Sequence, residues 1–177
     1  MADSSIRPFS IDIPQTELDS LKQRLAITRW PDAETPEDWS QGVPLNYARE
    51  LRAFWCDEYN WRDRERYFNA FPQFLTEIEG LDIHFLHLTS SEANARPLLI
   101  THGWPGSIVE FHKVIGALVD PVAHGGKAED AFHVVCPSLP GFGFSAQPSQ
   151  TGWGVEKSAQ AWNTLMQRPG DKAYFPQ

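Results

Sequence analysis

The segment His102-Gly103-Trp104-Pro105-Gly106-Ser107 constrains the fold of this chain more than any other stretch. It follows a short apolar run at 97–101 and precedes a run at 108–118 in which apolar residues recur at helical spacing. This order predicts a tight turn that leads from a β-strand into a helix. Two glycines permit a sharp backbone path, and the proline fixes one φ angle. Turns of this kind can direct backbone N–H groups into a cleft, where they stabilise an oxyanion during acyl transfer.

The first 72 residues are predicted to form a helical meander, a domain of their own. Apolar residues at helical spacing predict three helices, over 15–28, 45–59 and 61–70. Asn60 is the expected N-cap of the third helix. Residues 1–13 precede these helices and are predicted to be extended, with one face docked on the domain.

Residues 73–177 have the patterning of an α/β domain. A β-hairpin is predicted from strands at 74–78 and 81–88, which a Glu79-Gly80 turn joins. Strands at 98–101 and 131–136, connected through the 108–118 helix, predict a parallel βαβ unit. The remaining predicted elements are a helix over 155–168 and the start of a strand at 173–175.

Charge and hydropathy exclude several classes of partner. The net charge of −8 opposes binding to nucleic acid and to anionic membrane surfaces. No segment has the ~20 apolar residues that a membrane span needs, and the N-terminus lacks an apolar signal core. These features favour a cytoplasmic protein without a membrane span. The two cysteines, Cys56 and Cys136, lie among apolar neighbours and are predicted to be buried free thiols.

Other catalytic or metal-binding arrangements find little support. His84 and His87 are three residues apart on a predicted strand, so their side chains point to opposite faces and no metal site is expected. No Gly-x-Ser-x-Gly elbow exposes a nucleophilic serine, which argues against Ser107, Ser138 and Ser145 in that role.

Several motifs together carry a family resemblance. The turn at 102–107 is followed by Pro-Ser-Leu-Pro-Gly-Phe-Gly-Phe-Ser at 137–145, and it is preceded by Thr-Arg-Trp-Pro at 28–31, Asp-Glu-Tyr-Asn-Trp-Arg at 57–62 and Gly-Leu-Asp-Ile-His-Phe at 80–85. In this order they resemble the epoxide hydrolases of the α/β-hydrolase superfamily, and within them the microsomal and juvenile-hormone type. The resemblance covers about residues 9 to 177.

The resemblance implies an incomplete α/β-hydrolase fold and a reaction that needs no cofactor. Complete relatives hydrolyse small-molecule epoxides to vicinal diols: an aspartate attacks an epoxide carbon, and two lid tyrosines protonate the departing oxygen. A histidine paired with an acid then activates the water that cleaves the ester. The oxyanion-hole residues alone carry over to this chain: His102, Gly103, Trp104 and Pro105. The Trp104 amide is the expected donor, and the peptide bond before Pro105 is expected to be cis.

The nucleophile has no counterpart in the matched residues. In relatives a Tyr-Phe-Ala-Gln strand leads to Gly-Gly-Asp-Trp-Gly, whereas this chain ends with Tyr174-Phe175-Pro176-Gln177. We therefore expect a truncated chain with no catalytic nucleophile that is inactive alone, and whether it is an enzyme by itself stays open. The alternative is a non-catalytic fragment that binds a complementing chain or a homologue. Pro176 should weaken the last strand, and the exposed sheet edge beside it predicts self-association.

Overall fold

The computed structural model describes residues 4–168 and 175–176. Contacts divide the chain into two compact units. One comprises residues 11–68, and the other comprises the described residues up to 10 and from 69 onward. In residues 4–168 and 175–176, no helix combines the length and the apolar character needed to cross a membrane.

The smaller unit consists of helices and connecting loops, as its apolar spacing predicts. The helices are α1 (Gln15–Ala26), α2 (Leu45–Asp57) and α3 (Trp61–Asn69). The Asn60 side-chain oxygen accepts a 3.0 Å hydrogen bond from the Arg62 N–H, which confirms Asn60 as the cap of α3. At the start of α2, a Glu34 carboxylate oxygen accepts a 2.9 Å hydrogen bond from the Leu45 N–H. This carboxylate satisfies one of the free donors at the helix N-terminus.

Glu65 is a buried carboxylate that organises the start of this unit. Its Oε1 accepts hydrogen bonds from the Ile13 N–H at 2.8 Å and from the Trp61 indole N–H at 3.0 Å. The Arg62 guanidinium lies 2.6 Å from the other oxygen. The Ile13 N–H and the Arg62 guanidinium lower the pKa of Glu65 against the opposing effect of burial. Hydrogen bonding and charge pairing thus keep this buried group ionised.

The larger unit is built on a six-stranded mixed sheet. Its strands are β1 (Arg7–Phe9), β2 (Gln73–Ile78), β3 (Leu81–Leu88), β4 (Arg96–Leu99), β5 (Phe132–Pro137) and β6 (Phe175–Pro176). Their spatial order is β1-β2-β3-β5-β4-β6. The pairs from β1 to β5 are antiparallel, whereas β4 is parallel to both β5 and β6. The predicted parallel pair and the α/β class are confirmed.

The predicted β-hairpin is confirmed together with its turn. Ile78 pairs with Leu81, and the two residues between them have positive φ angles, 50° at Glu79 and 78° at Gly80. Two consecutive residues with positive φ angles form a turn whose twist matches that of antiparallel strands. The glycine therefore sits at a position that few other residues adopt without strain.

Helices cover both faces of the sheet. On one face α5 (Val155–Gln167) buries Trp162, Leu165 and Met166 against Ile83 and Phe85 of β3. On the other face Ile108 and Ile115 pack with Leu86, Val134 and Cys136. Alternation of side chains along β3 supplies both cores, because successive residues of a strand point to opposite faces. The larger unit is thus a layered α/β structure.

The prediction of one continuous helix over 108–118 is wrong. A 3₁₀ helix at Ile108–Phe111 is followed, after a break, by the short helix α4 (Ile115–Val119). Hydrogen bonds from Val114 N–H to Phe111 and from His112 N–H to Val109 span three residues rather than four. The β-branched residues at 108, 109, 114 and 115 weaken helix propensity, so the apolar spacing overstates the helix.

One edge of the sheet agrees with the sequence expectations and the other differs from them. Residues 7–9, within the segment predicted to be extended, form strand β1 and pair with β2. At the other edge, β6 pairs Phe175 with Leu98 and Pro176 with Leu99, so β4 is covered where an open edge was expected. Pro176 is compatible with this pairing because an edge strand tolerates a missing donor. The predicted strand residues 173–174 lie outside the described residues, and the domain boundary at residue 72 stays a prediction.

Candidate functional site

The turn at 102–107 begins where the parallel strand β4 leaves the sheet. The Ile100 N–H still donates a 3.0 Å hydrogen bond to the Val135 carbonyl, so the ladder with β5 continues one residue past Leu99. The Trp104–Pro105 peptide bond is cis, as the resemblance implies. In open α/β sheets, the carboxyl ends of parallel strands are the usual place for ligand sites.

His102 is a structural anchor of the turn. Its ring is buried, with 2% of the residue exposed, and its Nε2 accepts a 3.0 Å hydrogen bond from the Leu139 N–H. Because a backbone N–H can only donate, Nε2 is unprotonated and the proton lies on Nδ1. Nδ1 then donates to the Gly103 carbonyl oxygen at 3.0 Å. One neutral imidazole therefore joins the turn to the loop that contains Leu139.

Gly106 completes the turn on its other side. Its N–H donates to the Gly103 carbonyl oxygen at 2.9 Å. Next to it, the Ser107 hydroxyl accepts from the Val109 N–H at 3.3 Å and the Glu110 carboxylate accepts from the Ser107 N–H at 3.3 Å. This reciprocal pair is a capping box, which satisfies free donors at the start of the 3₁₀ helix.

Trp104 projects from the turn, with 81% of the residue exposed. No acceptor in the described part of the chain takes a hydrogen bond from its backbone N–H. The bonds of the neighbouring Gly103 carbonyl to His102 and Gly106 hold the peptide unit on its N-terminal side. This arrangement holds the Trp104 amide in one orientation, so it can donate a hydrogen bond to an incoming negative oxygen.

An apolar cleft of about 450 Å³ opens at the end of β4; Thr101, which precedes the turn, is part of its lining, and residues 102–107 are not. Its lining includes Leu99 and Thr101 from the end of β4, and Leu139 and Phe142 from the loop that binds His102. Trp162 in the middle of α5 and Trp153 just before that helix contribute aromatic surface. An apolar lining of this kind suits a small, largely apolar ligand.

Leu139 is the residue of this site that sequence analysis missed. Its side chain carries no polar atom, and its contribution is a backbone N–H placed against His102. The glycine-rich run at 137–145 was the available signal: Gly141 and Gly143 have φ angles of 81° and 53° and fold the loop back. The predicted βαβ unit makes β4 and β5 neighbours, but no sequence pattern shows that the loop after β5 folds back to place the Leu139 N–H on His102.

The residues excluded as nucleophiles or ligands have other partners. Ser138 and Ser145 are buried and hydrogen-bonded to β3, and Ser107 is a helix cap. Cys136 is buried and Cys56 is half-buried, both as free thiols. Within residues 4–168 and 175–176, no three His, Cys, Asp or Glu side chains come together as a metal site would require.

Comparison with known families supports a single relationship. Residues 6–111 match the family described as the epoxide hydrolase N terminus, and residues 96–174 match the alpha/beta hydrolase fold. A putative epoxide hydrolase of Stigmatella aurantiaca is 58% identical over 165 residues, which are 93% of this chain and 38% of that protein. Epoxide hydrolase 1 of Oryctolagus cuniculus is 37% identical, with 100% of this chain and 40% of that protein covered.

Solved structures agree with the family matches. The epoxide hydrolase of Aspergillus niger superposes with a TM-score of 0.85 at 35% identity, covering 99% of this chain and 46% of that one. The juvenile hormone epoxide hydrolase of Bombyx mori superposes with a TM-score of 0.88 at 32% identity, covering 99% and 42%. The chain spans about 38–40% of the length of the curated relatives quoted above. On these matches and on its fold, the chain belongs to the epoxide hydrolase family of the α/β-hydrolase fold.

Proposed function

We propose that this chain serves the hydrolysis of epoxides to vicinal diols and that its part in the reaction is the oxyanion hole formed by 102–105. The observation that carries the proposal is the Trp104 N–H, which no described residue engages, in a turn that follows the parallel strand β4, whose end lines an apolar cleft. Epoxide substrates in the named relatives make this reaction the appropriate chemistry for that donor.

The proposed donor acts in the second half of the reaction. Relatives of this family are expected to form an ester between an aspartate and the opened epoxide, and water then attacks the ester carbonyl. The carbonyl oxygen becomes negative in the tetrahedral intermediate, and the Trp104 amide donates a hydrogen bond to it there. A donor held in place before the reaction needs no reorganisation when the charge develops.

His102, Gly103 and Pro105 have supporting parts in this proposal. The neutral His102 ring and the Gly106 N–H hold the Gly103 carbonyl from two directions, at 3.0 and 2.9 Å. Pro105 contributes no backbone donor and restricts its own φ. The turn therefore offers one amide in a fixed orientation.

The same proposal holds that the 177-residue chain alone does not turn over epoxides. No residue matched to the family's nucleophile, lid tyrosines or catalytic histidine occurs in the 177 residues. Incubation with an aryl or alkyl epoxide should release no diol above the uncatalysed rate. Diol release at an enzymatic rate, together with a labelled alkyl adduct on a side chain of this chain, would contradict the proposal.

The oxyanion role is best tested in a chimera. These 177 residues would replace the matching part of the Stigmatella aurantiaca relative, which is 58% identical. Trp104→Pro deletes the backbone donor and should lower kcat by about 10²- to 10³-fold. Trp104→Ala keeps the donor and is the matched control, since it removes the indole alone. Equal losses in the two variants would assign the effect to the indole and not to the amide.

The second candidate function is a non-catalytic subunit that binds a complementing chain or a homologue. The apolar cleft of about 450 Å³ and the exposed Val155 at its rim favour this alternative. The exposed Phe175 on edge strand β6 supports the related proposal of self-association. Co-purification of a partner from the native host tests the binding of a complementing chain or a homologue. A monomeric light-scattering profile at micromolar concentration would contradict self-association.

Two further predictions complete the proposal. Residues 1–72 are taken as the family's N-terminal helical region and 73–177 as the beginning of its hydrolase domain. Limited proteolysis near residue 72 followed by separate refolding would test this division. The cytoplasmic location stays a prediction that cell fractionation tests.

A further inference from the structure

His84 is a fully buried histidine that the reaction described above does not use. It lies in the middle of β3, and 0% of the residue is exposed. Its Nδ1 is 2.9 Å from the Ser138 hydroxyl, and its Nε2 is 3.0 Å from the Gln73 side-chain oxygen. A buried imidazole with both nitrogens engaged has a defined role in the structure, because each unmet hydrogen bond in such a place is costly.

The hydrogen bonds determine the protonation of this ring. The Gln73 amide nitrogen donates to the Asn69 side-chain oxygen at 3.2 Å, which turns the Gln73 oxygen toward His84. An amide oxygen accepts only, so the His84 proton lies on Nε2 and Nδ1 accepts from the Ser138 hydroxyl. Burial lowers the pKa of His84 to about 4, in agreement with a neutral ring.

The main chain and side chain of His84 together clamp the loop at 138–145. The Ser138 N–H donates to the His84 carbonyl oxygen at 2.8 Å, and the His84 N–H donates to the Ser145 hydroxyl oxygen at 2.9 Å. The Ser145 hydroxyl then donates to the Ser138 carbonyl oxygen at 2.8 Å. With the bond between the Ser138 hydroxyl and His84 Nδ1, three hydrogen bonds tie both ends of the loop to His84, and the fourth joins the two ends to each other.

The packing around the clamp leaves it little freedom. The Phe9 and Phe144 rings contact the His84 ring at centroid distances of 5.0 and 5.3 Å, both with their planes steeply inclined. A Cβ at Gly143 would lie 2.7 Å from the Ser138 hydroxyl oxygen. Close-packed surroundings of this kind transmit a displacement of one group to its neighbours.

The clamped loop leads directly to the proposed oxyanion hole. Leu139, next to Ser138, donates its N–H to His102 Nε2 at 3.0 Å, and His102 Nδ1 donates to the Gly103 carbonyl at 3.0 Å. The amide after that carbonyl is the Trp104 N–H. An unbroken series of hydrogen bonds and covalent links thus joins β3 to the turn.

We infer that His84 is a positioning residue: by holding Ser138 it places the Leu139 amide against His102 and thereby orients the Trp104 N–H. The importance of this placement for turnover rests on the proposed function, whereas the placement itself does not. His84 touches no reacting atom. Its effect passes through Ser138, Leu139 and His102.

The experiment measures the placement without turnover, in the intact 177-residue chain. ¹⁵N NMR of the histidine rings reports the His102 tautomer, and amide hydrogen exchange reports the Leu139 bond. The test variants are His84→Phe, which removes both ring nitrogens, and Ser138→Ala, which removes the hydroxyl alone. The matched control is His133→Gln, because His133 Nδ1 accepts a 3.0 Å bond from the Ser90 N–H elsewhere on the sheet.

Both test variants are expected to speed Leu139 exchange by about tenfold or more and to shift the His102 Nε2 resonance, while the control leaves both unchanged. If His84→Phe does not fold, Ser138→Ala decides the question. Unchanged Leu139 and His102 signals in folded Ser138→Ala would overturn the inference, as would equal changes in the His133→Gln control. If Leu139 exchange and the His102 resonance respond as expected but Trp104→Pro does not lower kcat in the chimera, the proposed function alone is contradicted.

Discussion

Gly106 donates its N–H to the carbonyl oxygen of Gly103 at 2.9 Å, and the space where a side chain at 106 would begin is already occupied. A Cβ at this position would lie 2.7 Å from that carbonyl oxygen and 1.6 Å from a Glu110 carboxylate oxygen. The two glycines of the turn are therefore not equivalent. Gly106 is required by close approach, whereas a Cβ at Gly103 would meet nothing within 4 Å.

This difference gives a matched pair of variants. Gly106→Ala should lower the free energy of unfolding by about 1–3 kcal/mol, because the Glu110 side chain or the turn itself must move. Gly103→Ala should change it by no more than about 0.5 kcal/mol. Urea unfolding followed by tryptophan fluorescence measures both. Equal destabilisation by the two substitutions would contradict the steric argument.

Acid should weaken the fold through His84. Its pKa is about 4 in the folded protein, against an ordinary value of 6.5. Between these two pH values the unfolded chain therefore binds a proton that the folded chain does not bind. The contribution of the neutral His84 ring to the free energy of unfolding is fully present above pH 6.5. It is lost as the pH falls toward 4, by roughly 3 kcal/mol at most.

A comparison of unfolding free energies at several pH values isolates this contribution. Between pH 6.5 and 4.5 the stability of His84→Gln should fall less steeply than that of the parent chain. Parallel curves for the two chains would show that His84 does not titrate as expected.

The two cysteines should differ in reactivity. Cys136 is fully buried in the core, and burial together with the nearby Glu110 charge raises the pKa of its thiol to about 12. A maleimide at pH 7.5 should therefore label the half-buried Cys56 in the folded chain and reach Cys136 after unfolding in urea. Mass spectrometry of the labelled peptides measures both. Rapid labelling of Cys136 without denaturant would mean that this face of the sheet opens readily.

Arg96 is expected to hold the edge strand β6 through its side chain. Its guanidinium lies 4.8 Å from the centre of the Phe132 ring and 5.3 Å from that of Phe175, on the strands that flank β4. A double-mutant cycle between Arg96→Ala and Phe175→Leu should give a coupling of about 0.5–1 kcal/mol. Arg96→Lys retains a cation and should keep part of it. A coupling of zero would assign the position of β6 to its backbone pairing alone.

Local patterning predicts most of the elements. Helical spacing predicts α1, α2, α3 and α5 to within about two or three residues, and alternation with a glycine turn predicts the hairpin of β2 and β3. Where the pattern misleads, at 108–118, the apolar spacing is present but the β-branched residues weaken the helix, which begins as a 3₁₀ helix and then breaks. Apolar spacing predicts which face of a segment is buried. It does not predict whether the backbone hydrogen bonds of that segment span three residues or four.

The sequence by itself determined the family, the α/β class and the turn at 102–107, because these depend on local motifs in a recognisable order. Only the tertiary structure decided which groups hold that turn. Leu139 meets His102, and Ser138 meets His84, because the chain after β5 crosses between β3 and β4, which flank that strand in the sheet. The contact between Ser138 and His84, 54 positions apart, depends on β3 lying beside β5, and no local pattern predicts that pair.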